Sequence, residues 1–183
     1  MVAFLDCVRQ TDTQPIVACG RYGVWKGHPM EYGKIEREIE IDASPATVFE
    51  VITSPEHLKE WWPDEAVIEP TPGAVGELVF GDRSSGEAQI PQITVVDAEP
   101  PRLFSFRWVY PEDEEAREGN SLLVTFELSA RGDGTLLRMT ETGFREKGWE
   151  VAVLEQRYRE HGEGWDYYLP RLASYAPTVG VAS

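Results

Sequence analysis

The chain has 183 residues, of which 42% are hydrophobic and 11% aromatic, a size and composition typical of one globular domain and not of a disordered chain. Its 32 acidic residues outnumber its 17 basic ones and give a formal net charge of −15. A surface this negative repels nucleic-acid phosphates and anionic membranes, because both are bound through Lys and Arg side chains. We therefore expect no nucleic-acid partner and no membrane partner.

The cysteines and histidines show no spacing typical of a metal site. They are Cys7, Cys19, His28, His57 and His161. Two cysteines are too few for a disulfide scaffold, and the chain does not open with a signal peptide. We expect a cytoplasmic protein with free thiols and with neither a metal nor a cofactor.

Three regions differ in pattern along the chain. Glycine and proline interrupt residues 1–33 repeatedly, so we interpret these residues as an irregular N-terminal extension. Regular patterns occupy residues 34–176, which we assign to one domain. Residues 177–183 are assigned to a C-terminal tail.

The domain opens with a strand and two short helices. Hydrophobic and acidic residues alternate from Lys34 to Asp42, which predicts a strand with one buried face. Ser44 and Ser54 are each followed by proline, and serine is a favoured N-cap while proline is favoured at the first helical position. The second of the two helices they begin is expected to end at Pro63, because proline cannot continue a helix.

Short β-rich segments separated by turn residues come next and predict about five or six antiparallel strands. The clearest pair covers residues 122–128 and 135–142. Between them, Gly132-Asp133-Gly134 is a strong hairpin signal.

A long helix is predicted from about residue 155 to 175. Tyr158, Trp165 and Leu172 recur every seven residues and mark one broad helical face. Gly162 and Gly164 weaken the start of this helix and indicate either its N-terminus or a hinge. The complete order of elements predicts an α+β fold in which a curved antiparallel sheet wraps around the long C-terminal helix, with two short helices after the first strand.

Four segments resemble the family named for activators of the heat-shock protein 90 ATPase. Residues 54–62 resemble its D/S-P-E-x-L-x-x-W-W segment. Residues 97–108 resemble its E-x-x-P-P-R-x-L-x-F-x-W segment, with one residue fewer between the arginine and the leucine. Residues 140–144 and the segment that begins at Gly164 resemble its last two signatures. The resemblance covers about residues 34 to 176 and implies the helix-grip fold of the START-like, or polyketide-cyclase-like, superfamily.

The resemblance leaves the function open, because the superfamily includes carriers, cyclases and co-chaperones and the family has no shared catalytic residues. We expect a carrier or sensor that binds a small hydrophobic molecule in an internal cavity. The alternatives are a co-chaperone that docks on a protein partner and a cyclase-like or hydrolase-like enzyme. A homodimer is included among the expected assemblies.

Aromatic and apolar residues with one carboxylate form the candidate ligand-binding set, since large pockets are lined mainly by apolar groups. The set consists of Trp61, Trp62, Phe104, Phe106, Trp108, Phe126, Met139, Glu141, Tyr158, Trp165 and Leu169. The competing interpretation is that these side chains simply fill the core. His161, on the same face of the last helix, is interpreted as a satisfied, partly buried histidine or as a ligand contact.

Glu141 is the polar member of this set. It shares its strand parity with Leu137 and Met139, so its carboxyl group is expected to point inward with them. It then serves either as a polar anchor for a ligand or as the partner of Arg37 in an internal ion pair.

We expect no binding to DNA, RNA or anionic vesicles at physiological salt, because no stripe of basic residues offsets the net charge of −15. A gel-shift assay at micromolar protein checks the nucleic acids, and vesicle co-sedimentation checks the lipids. Binding that weakens as salt is raised would contradict the prediction.

Overall fold

A seven-stranded antiparallel sheet forms the frame of the protein. The structure is a computed structural model and describes residues 32–109 and 116–179. The strands are β1 (Lys34–Ile41), β2 (Glu65–Val67), β3 (Val75–Val79), β4 (Gln92–Glu99), β5 (Leu103–Val109), β6 (Ser121–Arg131) and β7 (Gly134–Thr142). Their order is β1-β7-β6-β5-β4-β3-β2, so β1 and β2 lie at opposite edges. The helices are α1 (Pro45–Thr53), α2 (Pro55–Trp61) and α3 (Val151–Val179), with a 3-10 turn at Arg83–Ser85.

The two predicted helix starts are confirmed, although the serines act differently. Ser44 caps α1 with its side chain, which accepts a hydrogen bond from the backbone N–H of Thr47 at 3.2 Å. Ser54 precedes α2 without such a side-chain bond, and Pro55 occupies the first turn. Helix α2 ends at Trp61, two residues before Pro63. Helices α1 and α2 together connect β1 at one edge of the sheet to β2 at the other.

The hairpin between β6 and β7 also forms as predicted. Arg131 pairs with Gly134, which leaves a two-residue loop in which Gly132 adopts a φ of +61°. Such two-residue loops favour glycine because their backbone requires positive φ. Strand β2 has no counterpart among the sequence predictions, since three residues are too few to show an alternation.

Helix α3 is longer than predicted. It runs for 29 residues, from Val151 to Val179, and includes Pro170. It therefore starts about four residues earlier than expected and extends past residue 176. The expectation that Gly162 and Gly164 mark its N-terminus is wrong, because both lie well inside the helix on its buried face. A Cβ atom at Gly162 would lie 3.7 Å from the Arg37 guanidinium, which is an ordinary van der Waals contact.

One face of α3 packs on the inner face of the sheet, as the aromatic periodicity predicted. The Trp165 ring lies 5.9 Å from the Phe126 ring of β6, measured between centroids. Trp165, Leu169, Leu172 and Ala176 are buried in the same core as the inward side chains of the strands. The observed architecture is therefore the predicted α+β helix grip.

Gly143 terminates β7 in a conformation that other residues rarely adopt. Its φ is +100°, and a Cβ atom there would lie 2.6 Å from the backbone oxygen of Ser121. Gly119 also has a positive φ, +90°, but no atom lies within 4 Å of the position its Cβ would take.

We expect Gly143→Ala to lower the free energy of unfolding by at least about 3 kcal/mol, because the clash with Ser121 adds to the backbone strain. Gly119→Ala is the matched control and carries the strain alone, about 1–3 kcal/mol. Urea denaturation of both variants measures the difference. Equal losses would show that the Ser121 contact relaxes without cost.

Candidate functional site

Seven rings form an aromatic cluster between the inner face of the sheet and α3. They belong to Trp61, Trp62, Phe80, Phe106, Trp108, Phe126 and Trp165. Trp62 is central, because the centroids of five other rings of the cluster lie 5.1–6.2 Å from its own. Each such contact adds to the free energy gained from burying the rings.

A carboxyl group is buried at the edge of this cluster. Glu141 of β7 has no exposed surface, and its two oxygens accept hydrogen bonds from Trp108 Nε1 at 3.1 Å and Trp165 Nε1 at 2.8 Å. His161 Nδ1 lies 2.9 Å from Oε1 of the same group. We call these four residues the Glu141 cluster. Because Trp108 lies on β5 while His161 and Trp165 lie one turn apart on α3, the carboxyl group ties the helix to the sheet.

The inward orientation of Glu141 agrees with the strand parity, but the expected partner Arg37 is wrong. Arg37 faces Met139 in the register and reaches past the sheet edge to the exposed side of α3. There its Nε and Nη2 donate to the Asp166 carboxylate at 2.6 and 3.1 Å. The hydrogen bonds that Arg37 donates to the Asp166 carboxylate raise the pKa of Arg37 above its usual range. Position along β1 decides the pairing, since Ile35 and not Arg37 lies opposite Glu141.

The two described histidines both bind protein groups. His161 is buried and packs edge-on against Trp108 and Phe144, at centroid distances of 5.4 and 5.5 Å. Its hydrogen bond to Glu141 agrees with the interpretation as a satisfied histidine, although the residue is fully and not partly buried. His57 Nδ1 lies 2.8 Å from the Tyr175 hydroxyl and joins α2 to the end of α3. Burial raises the pKa of Tyr175, with a further contribution from the negative charges of Glu60 and Glu56.

Ten of the eleven candidate residues share one buried core, while Tyr158 is half-buried nearer the surface. The Tyr158 hydroxyl donates to the backbone oxygen of Lys34 at 2.7 Å. Phe80 and Phe144 were missed by the sequence analysis, although Phe80 contacts Trp62 and Phe144 contacts His161. The position of Phe144 directly after the Glu141 strand was a usable signal. A ligand-binding role for the eleven residues stays a prediction.

The four buried tryptophans of the described chain differ in how their indole N–H groups are satisfied. Trp108 and Trp165 donate to Glu141, and Trp61 donates to the backbone oxygen of Val51 at 3.3 Å. Trp62 Nε1 is buried and has no hydrogen-bond partner.

Two surface grooves lie away from the aromatic cluster. One, of about 390 Å³, runs between the start of β1 and α3 and is lined by Tyr32, Arg37, Glu155, Tyr158, Arg159, Gly162, Glu163 and Asp166. The other, of about 310 Å³, lies on the outer face of the sheet around Leu103, Glu127 and Arg138. Of the predicted site residues, only Tyr158 lines either groove.

Within residues 32–109 and 116–179, no group of three or more His, Cys, Asp or Glu side chains is arranged to hold a metal ion. None of the helices in this part of the chain is both long and apolar enough to cross a membrane. Cys7, Cys19, His28 and the acidic residues 112–115 lie outside the described residues.

An antiparallel sheet gripping a long C-terminal helix, with two short helices after the first strand, places the protein in the START-like, polyketide-cyclase-like superfamily. The model of the family described as "Activator of Hsp90 ATPase homolog 1-like protein" matches residues 42–176, and the chain belongs to this family. No curated protein matches the chain.

Solved structures similar to this chain share its fold at low sequence identity. Protein MLL2253 from Mesorhizobium loti is 20% identical, with a TM-score of 0.63 over 79% of this chain and 97% of that one. DynU16, from the dynemicin biosynthetic locus, is 22% identical, with a TM-score of 0.60 over 80% of this chain and 48% of that one. The Aha1 dimer from Colwellia psychrerythraea is 19% identical, with a TM-score of 0.57 over 76% and 92%.

We expect Glu141→Gln to lower the free energy of unfolding by about 2–3 kcal/mol, because an amide offers one acceptor oxygen where the carboxyl group offers two. One of the buried N–H groups that now donate to Glu141 would then face the amide NH₂ group of the glutamine, which is itself a donor. Asp166→Asn is the control, since it weakens an exposed pair worth less than about 1 kcal/mol. Chemical denaturation measures both, and a loss no larger than that of the control would contradict the assignment.

We expect Trp165→Ala to cost about 3–5 kcal/mol, because it leaves a cavity in the aromatic cluster. The change also removes the donor to Oε2 of Glu141. Tyr167→Ala, at a residue 40% exposed on the same helix, should cost less than about 1 kcal/mol. Thermal and urea denaturation check the pair. Similar losses for the two variants would mean that Trp165 is not packed as described.

Proposed function

We propose that the protein binds a small hydrophobic molecule between the inner face of the sheet and α3, as a carrier or sensor. The observation that supports this most is the Glu141 cluster, in which a carboxyl group and an imidazole are buried among aromatic rings. Stability alone does not require these groups, since apolar side chains of similar volume are often as stabilising as a buried polar pair. A few convergent polar groups in an apolar concavity are typical of ligand sites.

The relatives support the same class of function. The fold of this family is known for ligand binding and for polyketide-cyclase-like roles. DynU16 is described as a protein of the dynemicin biosynthetic locus, which fits a fold used around small organic molecules. At 22% identity this likeness shows the fold and does not identify a ligand.

The co-chaperone alternative receives little support from the outer face of the sheet. Glu127, Arg138 and Glu38 form a charged row across β6, β7 and β1, with Arg138 donating to Glu38 at 2.7 and 2.8 Å. In the described part of the chain, the large hydrophobic residues that are most exposed lie on β2, β3 and α3. A docking surface on the central strands would instead require a contiguous apolar patch there.

A cyclase-like enzyme is the second candidate function. The carboxyl group of Glu141 and the imidazole of His161 lie 2.9 Å apart, and such pairs serve in general acid–base catalysis. Under this proposal the pair would move a proton on the bound molecule. Glu141→Gln would then abolish turnover of a bound substrate at a temperature where the variant remains folded.

Native mass spectrometry of freshly purified protein tests the binding proposal. The expected result is a small-molecule mass increment that disappears under denaturing conditions. His161→Phe, which removes the imidazole and keeps an aromatic ring, should reduce the increment, while Asp166→Asn on the exposed face of α3 should retain it. Absence of any increment, together with no thermal shift from a panel of small aromatic compounds, would overturn the proposal.

A homodimer stays a prediction for this chain. The Colwellia psychrerythraea relative was solved as a dimer, which supports examining the same assembly here. Light scattering coupled to size-exclusion chromatography measures the mass directly, and one chain of 20.6 kDa sets the monomer value.

A further inference from the structure

We infer that Trp62 recognises the ligand, and that the ligand is a flat aromatic molecule with a neutral oxygen acceptor that receives the Trp62 indole N–H. This inference rests on the proposed function and names its ligand class. It starts from a single unsatisfied atom, Trp62 Nε1, which is the buried side-chain polar atom without a hydrogen-bond partner in the described part of the chain.

An unpaired buried donor is costly, since the group gives up its bond to water and gains none in the protein. The neighbouring tryptophans show that this fold can satisfy such groups. Trp61 reaches the Val51 oxygen, and Trp108 and Trp165 reach Glu141. An acceptor supplied by a ligand would complete the pattern, and an indole N–H can only donate, so the ligand atom must accept.

The position of Trp62 fits a site that a ligand can enter. Trp62 is 6% exposed and Phe80 is 8% exposed, whereas the other five members of the aromatic cluster are at most 1% exposed. The two rings contact each other edge-on, at 6.2 Å between centroids. Of the seven rings, this pair therefore lies nearest the surface, and the unpaired N–H belongs to one of its two members.

The surroundings select the chemistry of the ligand. Five aromatic rings surround Trp62. A flat aromatic ligand that displaced one of them would make the same kind of ring contact with Trp62. Trp108 and Trp165 both contact Trp62 and both bind the buried carboxyl group of Glu141. With a net charge of −15 on the chain as well, an anionic acceptor is disfavoured and a ketone or quinone oxygen is favoured.

Two nearly isosteric probes test this choice by titration calorimetry. 2-Acetylnaphthalene carries a carbonyl oxygen where 2-ethylnaphthalene carries a methylene group. We expect the native protein to bind the acetyl compound about fivefold to tenfold more tightly, as one hydrogen bond to a previously unpaired donor implies. Trp62→Phe should bind both compounds equally. Trp149→Phe is the control, because it removes an indole N–H that lies outside the aromatic cluster, and it should keep the preference.

A spectroscopic measurement on the native protein covers the case in which Trp62→Phe does not fold. The ¹⁵N-labelled indole N–H signal of Trp62 should move downfield with 2-acetylnaphthalene and not with 2-ethylnaphthalene. If the N–H points instead at a neighbouring ring, neither compound shifts it downfield and the inference is wrong. Equal affinity of the native protein for both probes overturns the inference and leaves the proposed function standing. Failure of both probes to bind, with no molecule co-purified, overturns both.

Discussion

The hydrogen bonds of the Glu141 carboxyl group are the constraint on which the arrangement of the interior depends. A buried carboxyl group must find donors, and here two indoles and an imidazole surround it. Since these donors come from β5 and from α3, the requirement fixes where the helix lies along the sheet as well as how deeply. Hydrogen bonds have specific partners and a narrow geometry, so they define this position more sharply than apolar packing alone.

The same constraint explains the chemistry around the cluster. With Trp108 and Trp165 held by Glu141, their rings present fixed faces to Trp62. Trp62 completes the packing, but its N–H has no hydrogen-bond acceptor among residues 32–109 and 116–179. The paired indoles order the core, and the unpaired one is the group that we propose for ligand recognition.

The periodicity of the sequence predicted the elements, the inward side of Glu141 and the buried face of α3, because those features depend on neighbours a few residues away. It could not predict that Glu141 binds Trp108, His161 and Trp165, since these contacts require the helix and the sheet to meet at one particular height. Arg37 illustrates the limit. The strand parity of Arg37 is the one that we predicted. Arg37 nevertheless lies two residues along β1 from Ile35, the residue opposite Glu141, and it binds Asp166 instead. The start of α3 was placed about four residues too late because the aromatic row that marked the helix begins only at Tyr158. The break that Gly162 and Gly164 suggested does not occur, since tertiary packing keeps the helix continuous.

The aromatic cluster also gives the molecule an optical property. Four of its six tryptophans, Trp61, Trp62, Trp108 and Trp165, lie within one buried group. Excitation energy absorbed by any one of them can pass to the others over these short separations, so the emitted light reports mainly on whichever indole has the lowest-energy excited state. A change in the hydrogen bonding of one ring therefore alters the emission of the entire group. The natural fluorescence of these four residues is consequently a collective readout of the interior between sheet and helix, without any added dye.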